Sequence, residues 1–504
     1  MRCFWVSILS LLVSFTFSGT AVAGTAKGTI RGGDVGGAGP MSVLIITADD
    51  VPRAYHKPFS SSGNISMPEI EKLADSGIAF GRSLSTPQCY ATRWAILTSL
   101  QPANQSTTVA AEDWLPAEYK AAHPQATTFA VGKWGLLAGI GSATDSQIEG
   151  YLNAQGFDRY LGGLGAFPEG GYAGGGGTTD FKKGRSPEVQ SRTQRCGAAP
   201  WVGCSSPENL SGSFATAGTV KDFKIVMTEI RDAGGGPFFG WLSFNTNHFQ
   251  AASFGDLWPD PNDGNPWDDC GSTDETCAKA LVTDSALGLD WAIGEVMNFL
   301  TAEEKRNLCI IYHPDNGGEE GFAGIPSNRG KGYAYETSSM TGLLFSGACV
   351  PRPVRGGSGT AGTAVIDVAP TIRDLADMPF TNMTTDGTSL STILTNGCGS
   401  SGCDDVSVRT FNFSMNTYAE GAAVDYYVRY EDGSYALHSS PDGTGSELYQ
   451  PSSDPNEQTD LCGGNSCVSG SGNSMTSAQI TACQALVDYA NSVDSRITEF
   501  TCGQ

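Results

Sequence analysis

Residues 43–50 read Val-Leu-Ile-Ile-Thr-Ala-Asp-Asp, an unbroken apolar run that ends in two carboxylates. A short apolar run without alternation is typical of a strand that is buried on both faces, as in a parallel sheet. Ser66 and Glu69 then have the spacing of a capping box, with Pro68 between them, and Gly77 stops the predicted helix. The chain therefore opens as strand, loop and helix.

The same order of elements returns further along the chain. Strands are predicted over 238–244, 308–312 and 343–345, and a helix over 286–300. Strands that alternate with helices indicate an α/β fold with a large, mostly parallel sheet flanked by helices. In such sheets functional groups gather beyond the carboxyl ends of the strands. The polar residues that follow predicted strand ends are Asp49, Asp50, His248, Asp315 and Asn316.

The sequence pattern changes near residue 398. Tyrosine-rich alternation between 410 and 437 predicts antiparallel strands, and 476–500 predicts a last helix, so a smaller antiparallel α+β subdomain is expected there. The predicted division is a signal peptide at 1–23, a linker at 24–40, a catalytic domain at 41–397 with a glycine-rich insertion at 164–216, and a C-terminal subdomain at 398–504.

The net charge and the N-terminal segment indicate which binding partners the protein can have and where in or outside the cell it is located. The 504 residues contain 30 Lys and Arg against 53 Asp and Glu, a net charge of −23. This argues against a nucleic-acid partner and against attachment to anionic lipid. Arg2, the apolar run from 4 to 17 and Ala21-Val22-Ala23 are typical of a secretory signal, and the run is short for a membrane span. A secreted or periplasmic protein without a stable membrane partner is expected.

The 14 cysteines agree with export. Cys3 leaves with the signal peptide, and Cys89 is set apart by its motif. The other twelve allow at most six disulfides, whose pairing the sequence leaves open.

Four short segments carry residues suited to catalysis. The adjacent carboxylates of 49–50 repel each other and favour a hard divalent cation. In 89–93, Cys-Tyr-Ala-Thr-Arg, the arginine lies one helical turn after the cysteine and favours its thiolate. The others are 132–135, Gly-Lys-Trp-Gly, and 313–317, His-Pro-Asp-Asn-Gly, with Gly-Lys-Gly at 330–332. Taken singly, each also fits a capped helix, a buried cysteine, a solvated lysine or a tight turn.

In this order the segments resemble the formylglycine-dependent (type I) sulfatases of the alkaline-phosphatase-like superfamily, over roughly residues 41–460. Asp49-Asp50 resembles the family's opening metal motif. The 89–93 segment resembles the C-x-[PA]-x-R signature, in which the cysteine becomes formylglycine. The remaining segments resemble the G-K-W-H, D-N-G and G-K motifs, and Asn247-His248 resembles the family's histidine-bearing strand end.

The resemblance implies a sulfuric ester hydrolase that acts on an aryl sulfate or a sulfated carbohydrate. A hydroxyl of hydrated formylglycine would attack sulfur, and the second hydroxyl would let the adduct collapse and expel sulfate. Calcium, or another divalent cation such as magnesium, is the implied cofactor, and a formylglycine-generating maturase is the implied partner. The implied metal ligands are Asp49, Asp50, the modified Cys89, Asp315 and Asn316. The implied catalytic residues are Cys89, Arg93, Lys133, His248 and Lys331, of which the two lysines and the histidine also bind substrate.

Two positions depart from the family pattern. Ala91 stands where proline is commoner, which leaves open whether an aerobic or a radical-type maturase acts. Gly135 stands where the family usually has a histidine that assists sulfate release. One hypothesis is that His313 occupies the missing space, since strand alternation gives it the same face as Asp315; the alternative is a histidine merely packed beside the metal site.

Two other functions remain open at this stage. A phosphonate monoester or phosphodiester hydrolase of the same superfamily would share the metal site and the nucleophile at residue 89. A non-catalytic, sulfatase-like binding protein is suggested by Gly135, and it would keep Cys89 as plain cysteine.

Overall fold

The structure of the protein is a computed structural model. It describes residues 39–60, 63, 65–102, 113–136, 151–163, 181–185, 188–191, 215–245, 275–318, 325–359, 362–378, 385–397, 408–417 and 423–503.

Strands and helices are numbered along the described chain. The strands are β1 (Ser42–Ala48), β2 (Gly77–Phe80), β3 (Ser83–Leu84), β4 (Thr127–Lys133), β5 (Arg159–Gly163), β6 (Phe181–Arg185), β7 (Glu188–Ser191), β8 (Phe238–Ser243), β9 (Leu308–Pro314), β10 (Leu343–Gly347), β11 (Gly357–Gly359), β12 (Thr363–Ala364), β13 (Phe411–Thr417), β14 (Ala423–Tyr430), β15 (Ala436–Ser439) and β16 (Glu447–Tyr449). The helices are α1 (Pro68–Asp75), α2 (Cys89–Thr98), α3 (Leu115–Ala122), α4 (Ala215–Asp232), α5 (Glu275–Phe299), α6 (Ala302–Arg306), α7 (Glu336–Ser339), α8 (Val368–Leu375), α9 (Ser391–Asn396) and α10 (Ser477–Val493).

One large mixed sheet organises the first part of the chain. Its order is β11-β2-β10-β9-β1-β8-β4-β5-β6-β7. The five central strands, from β9 to β5, run parallel, while β10 and the β6–β7 pair join the two sides antiparallel. The predicted α/β fold with a mostly parallel sheet is confirmed.

Both faces of the sheet are covered by helices. Val43 and Ile45 of β1 pack in one core with residues of α2 and α8, and Leu44 and Ile46 pack in a second core with residues of α1, α4 and α5. All seven residues of β1 are buried. This explains why its sequence is continuously apolar instead of alternating.

The predicted strands near 43, 238, 308 and 343 are present as β1, β8, β9 and β10. The helix predicted over 286–300 is present too, but it begins earlier, at Glu275.

The predicted capping box of α1 is wrong. Met67 is the N-cap residue, and no side chain of the N-cap bonds the helix. Instead, Asp290 of α5 accepts the backbone N–H groups of Glu69 and Ile70, each at 2.9 Å. A residue from a distant part of the chain therefore satisfies the free N–H groups at the start of α1, as a local cap does elsewhere.

The last part of the chain forms a second, separate sheet. β13, β14, β15 and β16 pair in that order and are all antiparallel. α10 packs on them, and its first turn has a capping box of Thr476 and Gln479. The predicted antiparallel C-terminal subdomain is confirmed as an architecture, while the domain boundaries stay predictions. Of the glycine-rich segment 164–216, β6, β7 and the start of α4 are described.

Three disulfides lie among the described residues: Cys309–Cys349, Cys462–Cys467 and Cys483–Cys502. The first joins the start of β9 to the turn after β10. Cys89 carries a free thiol. No helix in the described part of the chain is long and apolar enough to cross a membrane. The predicted signal peptide lies outside the described residues.

The role of Asp290 in capping α1 can be tested by two substitutions. We expect Asp290→Ala to lower the free energy of unfolding by about 1–2 kcal/mol, because one buried and one partly buried N–H group lose their acceptor. Asp290→Asn keeps an acceptor oxygen and should cost clearly less. Urea unfolding of the three proteins measures this, and equal losses for the two variants would contradict the capping role.

Candidate active site

The carboxyl ends of β1 and β9 bring four oxygen-bearing side chains together. The strands are parallel neighbours, so the residues that follow them, Asp49-Asp50 and Asp315-Asn316, lie at the same edge. The N–H of Asp315 donates to the Ala48 carbonyl at 2.8 Å, and the N–H of Asp50 lies 3.3 Å from Asp315 Oδ1. Asp50 has a φ of +55°, a left-handed conformation that Asp tolerates better than most residues. All four side chains are buried.

This cluster has the donor set of a cation site. Oxygens of Asp49 and Asp315 and the sulfur of Cys89 all lie within 4.8 Å of one another. Asn316 donates its amide N–H to Asp50 Oδ1 at 2.6 Å, which leaves its buried Oδ1 without a hydrogen-bond donor in the described chain. A buried acceptor of this kind beside three carboxylates suits a hard cation with oxygen ligands. The residues therefore fit the divalent metal that the resemblance implies.

Burial disfavours ionisation of two of these carboxyl groups, Asp50 and Asp315. Burial raises the pKa of Asp50 to about 7; Lys331 opposes this rise, and the charges of Asp49 and Asp315 add to it. Burial and the charge of Asp49 also raise the pKa of Asp315. A bound cation would favour the ionised form of these groups.

Each carboxylate faces a cationic side chain. Arg93 Nε donates to Asp315 Oδ2 at 2.9 Å, and the same guanidinium lies 3.5 Å from Asp49 Oδ2. The ammonium of Lys133, at the end of β4, pairs with Asp49. Lys331 Nζ lies 2.7 Å from Asp50 Oδ2. The structure thus brings together eight of the residues predicted from the sequence: Asp49, Asp50, Cys89, Arg93, Lys133, Asp315, Asn316 and Lys331.

The three cations differ in their access to solvent. The side chains of Arg93 and Lys133 are 0% and 1% exposed, whereas that of Lys331 is 16% exposed. Cys89 is also partly exposed. A molecule that arrives from solvent therefore meets Cys89 and Lys331, while Arg93 and Lys133 hold the carboxylates from within.

Cys89 is the first residue of α2, where backbone N–H groups have no partner within the helix and favour an anion. Arg93 follows one turn later on this helix. The loop before Cys89 is fixed by Thr92, whose hydroxyl oxygen accepts the N–H of Thr86 at 2.9 Å. The signature residues at 89, 92 and 93 therefore shape one helix terminus together.

Gly135 lies against the two buried cations. Its φ is +65°, and a Cβ at this position would lie 3.1 Å from Arg93 Cδ and 3.4 Å from Lys133 Cε. A side chain here would strain the backbone and press on Arg93. The departure from the family pattern at 135 thus matches the local packing of this chain.

His313 is buried beneath the site. Its Nε2 lies 2.9 Å from the hydroxyl oxygen of Thr47, which also accepts the indole N–H of Trp241 at 2.9 Å. Its Nδ1 lies 3.0 Å from the Pro314 carbonyl. Since that carbonyl only accepts, Nδ1 carries the proton, and Nε2 accepts from Thr47. Burial lowers the pKa of His313 to about 3, so the ring is neutral.

The hypothesis that His313 replaces the family histidine stays a prediction; its two ring nitrogens contact Thr47 and the Pro314 carbonyl. The predicted residue His248 lies outside the described residues.

One residue of the site was not predicted from the sequence. Ser243, the last residue of β8, accepts a hydrogen bond from Arg93. Its place at a strand end was the available clue.

Comparison with known proteins agrees with this geometry. Residues 42–378 match the family model described as Sulfatase. The match spans more than half of the chain, and the chain therefore belongs to the sulfatase family. Members of this family are sulfuric ester hydrolases, and the predicted family and enzyme class are confirmed. No curated protein matches the chain.

Solved structures share the fold at low identity. Ps i-CgsB, in complex with k-i-k-neocarrahexaose, is 18% identical with a TM-score of 0.61, over 91% of this chain and 94% of that one. BT4656, in complex with its substrate D-glucosamine-2-N,6-O-disulfate, is 16% identical with a TM-score of 0.61, over 91% and 98%. The PsFucS1 sulfatase from Pseudoalteromonas sp. is 17% identical with a TM-score of 0.58, over 92% of each chain.

The contact between Gly135 and Arg93 can be separated from backbone strain. Gly445 has nearly the same φ, +63°, but no heavy atom of the described chain lies within 4 Å of a Cβ built there. We expect Gly135→Ala and Gly445→Ala each to cost about 1 kcal/mol of stability. Only Gly135→Ala should also lower kcat on an aryl sulfate, by about tenfold or more, because it displaces Arg93. Equal kcat values for the two variants would contradict this role.

Proposed function

We propose that the protein hydrolyses a sulfate ester by means of a formylglycine made from Cys89 and a bound divalent metal, calcium in the first place. The observation that carries this proposal is the position of the free Cys89 thiol. It lies at the N-terminus of α2, within 4.8 Å of carboxylate oxygens of Asp49 and Asp315. A cysteine in this position can be modified and can also take part in binding a cation.

The charge balance of the site supports a dianionic product. Three carboxylates face three cations, so the protein side chains alone are close to neutral. A divalent metal then leaves an excess of two positive charges in a buried setting. Preorganised positive charge of this size suits sulfate and the charge that develops as the ester bond breaks.

Each residue has a distinct part in this proposal. Asp49, Asp50, Asp315, Asn316 and residue 89 would hold the metal. Hydrated formylglycine would supply an oxygen nucleophile, and the metal would supply a Lewis acid that acidifies it. Arg93 and Lys133 fix Asp315 and Asp49, and they add positive charge behind the sulfate group.

The oxygen of the leaving alcohol needs a group that stabilises its charge or donates a proton to it, and we propose that this group lies on the side from which the substrate enters. Lys331 meets this condition and can hold charge or a proton at that oxygen. His248 is proposed for the same side of the substrate, as the family resemblance implies. The proposed roles of Cys89, Arg93, Lys133, His248 and Lys331 all stay testable by substitution.

Sulfated carbohydrate is the substrate class that the relatives favour. Two of the similar structures contain bound sugars, k-i-k-neocarrahexaose in one and D-glucosamine-2-N,6-O-disulfate in the other. We extend that class to this chain as a proposal, with an aryl sulfate as the convenient test substrate. A maturase that acts on Cys89 and export through the segment 1–23 belong to the same proposal.

The modification of Cys89 is tested by mass spectrometry of the tryptic peptide 83–93. We expect a peptide in which oxygen replaces sulfur and two hydrogens are lost, and we expect Cys89→Ala to abolish hydrolysis while the fold is retained. Phosphodiester turnover above sulfate turnover would instead favour the phosphodiesterase alternative. An unmodified Cys89 in protein from its native host, with binding of sulfated sugar but no cleavage, would favour the non-catalytic binding protein.

Metal binding is tested by thermal unfolding after chelation. We expect added Ca²⁺ to raise the Tm, since a ligand at about a hundredfold its Kd contributes about 3 kcal/mol to folding. Asp315→Asn should abolish the rise. Asp290→Asn, which changes a buried carboxylate outside the site, should keep it. A rise that survives Asp315→Asn would contradict the proposed ligand set, and a larger rise with Mg²⁺ would identify a different ion.

A further inference from the structure

The segment that carries Lys331, residues 329–336, is attached to the catalytic site at one end. The N–H of Lys331 donates to the Gly318 carbonyl at 3.0 Å, and that of Gly332 donates to the Pro87 carbonyl at 2.8 Å. Pro87 lies two residues before Cys89, and Gly318 lies two residues after Asn316. The segment therefore lies beside the nucleophile and the metal ligands.

The C-terminal subdomain holds the other end of this segment. Asp425 of β14 accepts the N–H of Ala334 at 2.9 Å. Glu457, in the loop after β16, accepts the N–H of Glu336 at 2.8 Å. The backbone N–H groups of Ala334 and Glu336, which follow Lys331, are thus bonded by acceptors from the C-terminal subdomain.

Tyr335 makes several side-chain contacts between the two parts. Its ring stacks on that of His438, with centroids 4.0 Å apart and planes 20° apart, and Arg329 Cζ lies 3.9 Å from the ring centroid. The Tyr335 hydroxyl donates to Glu447 Oε2 at 2.6 Å. We refer to Arg329, Tyr335, His438 and Glu447 as the tyrosine clamp.

Charge reinforces the clamp. His438 Nε2 lies 2.9 Å from Asp425, and its Nδ1 lies 3.5 Å from Glu447. Burial lowers the pKa of His438, but the hydrogen bond to Asp425 and the nearby Glu447 carboxylate outweigh burial and raise that pKa above its ordinary value. The Arg329 guanidinium over the phenol ring adds cation–π attraction. The Arg329 guanidinium also lies 3.7 Å from Glu447.

We propose that the tyrosine clamp positions Lys331. The C-terminal subdomain, on this view, completes the active site by fixing segment 329–336 so that Lys331 Nζ stays 2.7 Å from Asp50. His438 and Glu447 act through Lys331 and are positioning residues. The positioning of Lys331 by the clamp does not depend on the proposed function. The effect of the clamp on hydrolysis does rest on it, because that function assigns Lys331 to the reaction.

Two mild variants test the clamp. Tyr335→Phe removes the hydroxyl and keeps the ring, and Glu447→Gln removes the charge and keeps the shape. Glu118→Gln serves as the matched control, because Glu118 forms a buried pair with Arg373 elsewhere in the catalytic domain. We expect faster hydrogen exchange in the peptide 329–336 of the two clamp variants, and unchanged exchange there in the control. This readout requires no turnover, so it decides on the clamp even if Cys89 proves to be unmodified.

Kinetics then test whether the clamp acts through Lys331. We expect Glu447→Gln to lower kcat on an aryl sulfate about tenfold with a smaller change in KM, and to cause no further loss in a Lys331→Ala background. Two losses that multiply in the double variant would overturn the proposal, as would unchanged exchange in 329–336. If exchange in 329–336 becomes faster in the clamp variants as expected, but neither the unsubstituted protein nor any variant hydrolyses the ester, the result would count against the proposed function and not against the clamp.

Discussion

Three buried carboxylates at one edge of a parallel sheet are the constraint on which the rest of this molecule depends. Like charges in a buried setting are stable only when each has a partner. Here the partners come from three separate elements: Arg93 from α2, Lys133 from the end of β4, and Lys331 from the segment after β9. Loss of one partner of a buried ion pair costs about 3–5 kcal/mol. The docking of these elements and the assembly of the site are therefore energetically coupled.

Most of the features that the sequence predicts correctly depend on residues within a few positions of each other. β1 and β9 are largely apolar and are followed by Asp-Asp and Asp-Asn, and the rule that parallel strands end at a common edge was enough to place these side chains together. The helix that joins Cys89 to Arg93 is local as well. Such features depend on periodicity and chain direction, which a single sequence contains.

Long-range partners could not be predicted. Arg93 bonds Ser243, 150 residues away, and Tyr335 bonds Glu447, 112 residues away. The start of α1 was assigned to a local capping box, whereas Asp290, about 220 residues further on, supplies the acceptor. For Gly135 the family resemblance implies a histidine that this chain lacks, but only the structure shows a left-handed backbone against Arg93 and Lys133.

The position of β1 in the sheet has a consequence for the synthesis of the chain. β1 lies between β8 and β9, yet these strands begin only at Phe238 and Leu308. While the ribosome makes the intervening chain, the segment Ser42–Ala48 has neither of its hydrogen-bonding neighbours. An unpaired apolar strand is an aggregation hazard, and this hazard lasts until β8 and β9 have been made. A fragment that ends before Phe238 lacks both hydrogen-bonding neighbours of its central strand.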